Sequence, residues 1–321
     1  MTLEPVGPPA AQGAKRLPEV GPDEPVGRVV GVFLGALLET VERHLPGLVA
    51  DLDPEFLHRV RVTVRRTRSL LRELAAEPEL AGAAQLEREL SWLGGRTGPC
   101  RDLDVLLDAL DGYADRLPDS VRDGVEPVTA RVRRLRGESH RELLSDLGSG
   151  RCRKLLRDWR RTAAELTASA AGRPIGQVAD ERIRAVAGKT LDKAGELDAD
   201  SPEPRIHRLR IRCKRLRYLL ESFRGLYPAD RADPVISTLR RLQDRLGAFQ
   251  DLSVHAERLQ EAALTAEPPL PPSALLATGA LLAHLERNKN RQRKRVLKAL
   301  TRFLADEPDR VARLVGEGLG E

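Results

Sequence analysis

Aromatic residues are scarce in this 321-residue chain, at 3% of the total. Proteins that hold single nucleic-acid strands stack bases on aromatic platforms, and the 2 Trp, 3 Tyr and 5 Phe present leave residues 58–72 with none. That argues against such a binder without excluding one, because arginine also stacks on bases. Cysteine is equally sparse: Cys100, Cys152 and Cys213 are odd in number, far apart, and form no CxxC or Cys/His spacing. A disulfide framework and a structural zinc are therefore excluded. No apolar run approaches the roughly 20 residues of a membrane span. The opening MTLEPVGPPA lacks the charged and apolar regions of a secretory signal. A soluble, cytoplasmic protein with no membrane partner is expected. Period-two alternation of apolar residues is nearly absent, which excludes a β protein.

What remains is helical. Apolar residues recur at spacings of three and four, as in Val30, Leu34, Leu37, Val41, Leu45 and again in Val60, Val64, Leu71, Leu74. Proline and glycine breaks at Pro46 to Pro54, Pro78, Gly94 to Pro99, Pro118, Gly148 to Gly150, Gly172 to Gly176, Pro202 to Pro204, Pro228 to Pro234 and Pro268 to Pro272 predict helices of roughly 15 to 27 residues. Residues 1–25, rich in proline and poor in apolar side chains, read as a disordered lead-in. The length suits two domains or one doubled unit, and 41% hydrophobic residues suffice for a core.

Doubling is visible directly. HRVRVTVRRTRSLLR, starting at His58, matches HRLRIRCKRLRYLLE, starting at His207, and LSWLGGRTGPCRDLDV, starting at Leu90, matches LRRLQDRLGAFQDLSV, starting at Leu239, at the same offset of 149 residues. One offset shared by two separated motifs predicts an internal duplication with its join near residues 171–177. The expected fold is all-α: internally duplicated helical bundles, 26–172 and 173–321, with pseudo-two-fold symmetry and a basic central cavity.

The net charge is only +6, but 46 of the 54 basic residues are arginine and they cluster. On a helix, His58, Arg61, Arg65, Arg68 and Arg72 share one face opposite Val60, Val64 and Leu71; His207, Arg210, Lys214 and Arg217 repeat the stripe. No acid within 58–72 or 205–220 neutralises them. Like charges one turn apart repel by a few tenths of a kcal/mol each, so these faces oppose their own helices unless carboxylates of neighbouring helices or an external anion cover them. Further basic helices carry Arg131, Arg133, Arg134, Arg136 and Arg141, and Arg287, Lys289, Arg291, Arg293, Lys294, Arg295 and Lys298. If these helices converge, their guanidinium forks suit phosphate oxygens. A polyanion beside His58 and His207 would favour their cationic forms.

Other motifs carry less. Asp102 and Asp104 form a DxD able to hold a hard cation, but the second copy reads Asp251 and Ser253. Asp102 and Asp251 are expected to cap helices or pair with Arg96 or Arg245. His44, His140, His255 and His284 have no metal-forming partner at i+4, and there is no GxxxxGK[ST], HExxH or GxSxG. No catalytic constellation, metal or cofactor is expected.

The doubled motif, together with GPCRDLDVLLDAL, IHRLRIRCKRLRYLLESF and RLQDRLGAFQDL, resembles the CHAD family (conserved histidine α-helical domain) over about residues 26–310. The resemblance implies paired helical bundles with a basic cavity that binds inorganic polyphosphate, and association with polyphosphate granules. Carried onto this sequence, it implies a site of His58, Arg61, Arg65, Arg66, Arg68, His207, Arg210, Lys214, Arg215, Arg217 and Tyr218, with Arg101 at an Arg-Asp step where the second copy has Gln250. Arg134, Arg287 and Arg291 of the flanking basic helices complete the expected polyphosphate-binding set. Members often adjoin a triphosphate-tunnel hydrolase domain, whose ExExK strand is missing here, so a standalone, non-catalytic binding module is expected. Two other classes stay open: a nucleic-acid binder, for which DNA or RNA competes with polyphosphate at similar affinity where the polyphosphate reading expects weaker, steeply salt-dependent nucleic-acid binding, and a metal-dependent polyphosphate-processing enzyme.

Overall fold

The computed structural model describes residues 17–170 and 172–316, which form eleven α-helices, two short 3-10 turns and no strand. In chain order the helices are α1 (Val26–Val49), α2 (Pro54–Glu73), α3 (Ala84–Arg96), α4 (Gly98–Ala114), α5 (Asp119–Arg122), α6 (Val125–Leu147) and α7 (Gly150–Thr167). They continue with α8 (Ile175–Gly195), α9 (Glu203–Ser222), α10 (Ala229–Leu264) and α11 (Pro272–Gly316).

Helix boundaries recur at the offset seen in the sequence. α8 starts 149 residues after α1, and α9 starts and ends 149 residues after α2. The chain segments entering α1 and α8 lie side by side: Val26 N–H donates to Arg173 O and Ile175 N–H to Glu24 O, both at 2.9 Å, across a bridge between Pro25 and Pro174. The bridge joins corresponding positions of the two halves, and the 149-residue offset turns one of the two hydrogen bonds into the other.

The long helices α10 (36 residues) and α11 (45 residues) exceed the expected lengths because the second half lacks the breaks of the first. α4 opens on Gly98-Pro99, whose counterpart is Gly247-Ala248. Between α6 and α7 stands Gly148-Ser149-Gly150, whose counterpart is Leu297-Lys298-Ala299. Proline removes an N–H donor and glycine loosens the helix; with neither run present, the second half continues through. Pro234 was expected to end a segment, yet it lies in the second turn of α10, where its missing N–H forfeits a single bond to the Asp230 carbonyl.

Two apolar cores result, and each draws on both halves. The larger joins α1, α2, α3 and α7 to α8, α9, the first part of α10 and the last part of α11. The smaller joins α4 and the start of α6 to the last part of α10 and the first part of α11. Gly31 lets α1 and α7 touch, since a Cβ there would lie 2.3 Å from the Thr167 backbone nitrogen. The buried Trp159 indole of α7 donates to the Leu34 carbonyl of α1 at 3.0 Å.

The expected lead-in is corrected at its C-terminal end. Leu17 and Val20 pack on the larger core, and Pro22 O accepts from Gly176 N–H at 2.9 Å. Residues 1–16 lie outside the described residues.

Candidate functional site

Helices α2 and α9 pack against each other, each burying its apolar stripe, so the two cationic stripes meet along their line of contact. Arg65 Nε of α2 donates to the Tyr218 hydroxyl of α9 at 3.1 Å, and Arg66 donates to the Glu221 carbonyl at 3.2 Å. Around these ties stand Arg61 and Arg65 with their counterparts Arg210 and Lys214, and Arg101 from α4 adds a further cation beside His58 and Arg61.

Electrostatics define this cluster. Burial, then the charges of Arg65 and Arg210, push the Lys214 ammonium down to about 6, against a partial opposing pull from Asp251. Burial and the neighbouring Arg65 lower Arg61 to about 10. Burial also lowers Arg210, with Asp251 and Arg65 acting on it in opposite directions. No carboxylate of the described residues forms an ion pair with Arg61, Arg65, Arg101, Arg210 or Lys214. Arg61 spends its donors on Thr97 Oγ1 (3.1 Å) and the Gly94 carbonyl (3.4 Å), while the buried Nε of Arg210 has no partner.

Other sequence-selected cations are neutralised by the fold. Arg68 lies 3.5 Å from Glu87, Arg215 lies 3.8 Å from Glu73, and Arg217 reaches Glu221 and Gln243, each at 2.8 Å. Arg66 is buried. Arg134 does not join the stripes: it is exposed and bonds Glu138 (3.1 Å) and the Glu267 carbonyl (3.2 Å). Arg287 and Arg291 are exposed on α11.

The two stripe histidines differ. His58 is held below its ordinary pKa by burial and then by Arg101, with Glu55 opposing. His207 Nδ1–H donates to Gln250 Oε1 at 2.7 Å. Thus the residue that replaces Arg101 in the second half fixes the orientation of that histidine.

Asp102 neither caps α4 nor pairs with Arg96. It bonds Arg258 of α10 at 3.3 Å, while Arg96 pairs with Asp146. The pairing expected within each half is replaced by one between halves because α4 packs on α10. Asp251, its counterpart, is near enough to feel the Asp102 charge; burial raises its pKa, and Arg210 and Lys214 lower it.

Sequence reasoning missed a cavity of about 680 Å³ between α4, α10 and α11, lined by Tyr113, Arg116, Asp251, His255, Asn288, Arg291, Gln292 and Arg295. Its signal was present: Asn288, Arg291, Gln292 and Arg295 fall on one helical face, and His255 stands one turn after Asp251. No group of three or more metal-ligating side chains occurs among the described residues, and none of their helices is long and apolar enough to cross a membrane.

The solved CHAD domain from the plant Ricinus communis is similar to this chain, with 27% identity and a TM-score of 0.76 over 91% of this chain and 97% of that one. PptA from Streptomyces chartreusis shares the fold, with a TM-score of 0.67 and 19% identity over 87% of this chain and 100% of that one. Two uncharacterized Mycobacterium tuberculosis proteins, MT2285 (strain CDC 1551 / Oshkosh) and Rv2226 (strain ATCC 25618 / H37Rv), are each 33% identical over 219 residues. The match takes in 65% of this chain and 41% of theirs, so the chain spans about two fifths of the length of the curated relatives it matches. The CHAD domain family model matches residues 33–260, most of the helical body described above, and the chain belongs to that family.

Proposed function

We propose that the protein binds inorganic polyphosphate along the meeting line of α2 and α9, without metal and without turnover. The observation that carries this reading is the unpaired cluster of Arg61, Arg65, Arg101, Arg210 and Lys214. No carboxylate of the described residues ion-pairs with these five side chains, and burial, followed by repulsion from Arg65, Arg101 and Arg210, lowers the proton affinity of Arg61, Arg210 and Lys214. A polyanion relieves that repulsion, and guanidinium groups bind phosphate oxygens through charge-assisted, often bidentate hydrogen bonds. A regular chain carrying about one charge per unit needs nothing else from the site: no base-reading groups, no aromatic platform, no catalytic acid. Association with polyphosphate granules in the cytoplasm follows from such binding.

The test is calorimetric titration with long-chain polyphosphate at about 0.15 M salt, where screening removes weak surface attraction, beside single- and double-stranded nucleic acid at equal phosphate concentration. Saturable binding of polyphosphate, with nucleic acid weaker and steeply salt-dependent, is expected. Equal binding of all three makes the cluster a generic cationic surface and favours nucleic acid. Magnesium-dependent phosphate release, lost in Asp102→Ala, makes the protein an enzyme instead.

A further inference from the structure

We infer that the cavity between α4, α10 and α11 is a separate subsite for a terminal phosphate, that is, a phosphate group bearing two negative charges at the end of a chain or on a monoester.

The lining has the composition of an anion site with a defined charge. Arg116, Arg291 and Arg295 supply three cations, and Asp251 is the single acid on the wall, which leaves two net positive charges. An interior unit of a polyphosphate chain carries one charge, whereas a terminal phosphate approaches two at neutral pH. None of the three arginines forms an ion pair with a described carboxylate; Arg291 bonds the side-chain oxygen of Asn288.

Neutral donors stand beside these charges. Tyr113 and His255 share one hydrogen bond of 2.9 Å, and burial holds His255 neutral, at about 4. A tyrosine hydroxyl and a neutral imidazole own two donors between them. One is consumed in their mutual bond, so whichever tautomer is present, one N–H or O–H is left over. Gln292 lines the same wall, and its side-chain amide adds an N–H donor that suits a phosphate oxygen. The volume of about 680 Å³ accommodates a phosphate with the group it terminates. Asp251 lines this cavity and also lies within the electrostatic reach of Arg210 and Lys214 of the α2/α9 cluster. The two sites are therefore adjacent yet built from different cations.

Linear tripolyphosphate has two terminal phosphates and cyclic trimetaphosphate has none, so their calorimetric comparison reads the subsite. The intact chain is expected to bind the linear form about tenfold or more tightly than the cyclic one, and the R291Q/R295Q double variant to bring the two within about threefold. Equal affinity of the intact protein for both, or an undiminished preference in the double variant, overturns the inference. Glycerol 3-phosphate separates the sources: competition with tripolyphosphate assigns the subsite to free monoesters as well, and its absence alongside the linear preference assigns it to chain ends. Charge reversal at Arg61 and Arg210 abolishes long-chain binding if the α2/α9 reading is correct and leaves the linear-over-cyclic preference in place. Failure of one proposal is thus read separately from failure of the other.

Discussion

Arg136 and the α2/α9 cluster place the same chemistry in opposite circumstances. Arg136 on α6 forks between Asp51, in the turn after α1, and the Asp104 carboxylate of α4, whose side chain is only 2% exposed. Those two carboxylates raise its pKa, the hydrogen bond to Asp51 most of all. Arg61, Arg210 and Lys214 are also largely buried but have no ion-paired carboxylate among the described residues, and burial, with cationic neighbours adding to it, lowers their pKa values against the weaker pull of Asp102 and Asp251. A paired cation in a fold is a structural fastener; an unpaired cluster is a standing electrostatic cost that the rest of the core must offset. The difference separates arginines that hold the molecule together from those left for a ligand, a distinction arginine content alone does not make.

The largest effect is expected where the fastener is cut. Arg136→Met leaves the buried Asp104 carboxylate without its partner and should lower unfolding stability by about 3–5 kcal/mol, read by denaturant melts, with polyphosphate affinity unchanged in the protein that remains folded. Equal stability of the variant would erase the contrast. Next in size is the Arg61→Glu/Arg210→Glu reversal, which should weaken long-chain polyphosphate by about 100-fold or more, about 2.7 kcal/mol.

The pH dependence of Lys214 sharpens the contrast further. Its folded pKa of about 6 lies below the roughly 10.4 of an unfolded lysine, so between those values the unfolded chain binds the extra proton. Stability of the free protein therefore rises as pH climbs from about 6 to about 10, and the cost of burying the ammonium is complete below about 6. A bound polyanion reverses the preference and draws the proton back. Binding at pH 7–8 should take up close to one proton per site, and affinity should fall by up to about tenfold per pH unit above 6. Calorimetry in buffers of different ionisation enthalpy measures the uptake. Lys214→Arg should abolish both dependences, and a flat pH profile in the parent protein would remove Lys214 from the site.

Helical class and register were legible in the sequence because they depend on local spacing. The Gly98-Pro99 and Gly148-Ser149-Gly150 breaks and the start of α9 at Glu203 all fall where proline and glycine placed them. The fate of individual charges was not legible. Arg68 and Arg61 sit two turns apart on one stripe, yet Glu87 of α3 neutralises only the former, and that depends on which helix lies alongside. Asp102 was assigned to its own half and pairs instead with Arg258 of the other, since α4 meets α10 only through the tertiary fold. Helical spacing groups the residues that α10 and α11 each give to the cavity, but Tyr113 and His255 are more than 140 positions apart, and only the tertiary fold brings those faces together.

The smallest expected effect isolates how the cluster is held rather than how it is charged. Tyr218 is the hydrogen-bonding side chain that links the stripes directly: its hydroxyl accepts from Arg65 Nε at 3.1 Å, and its ring lies under the Arg217 guanidinium, 4.8 Å from the centroid. Its counterpart in the first half is Ser69, too short to repeat the reach. Tyr218→Phe keeps the ring and its packing while releasing Arg65, which then samples rotamers that must be lost again on binding. Affinity for polyphosphate should fall by about two- to tenfold, the worth of one hydrogen bond, with no change in the linear-over-cyclic preference and little in stability. An unchanged affinity would show that Arg65 is positioned by packing and by its charged neighbours alone, and would reduce the α2/α9 site from an ordered array to a local concentration of charge.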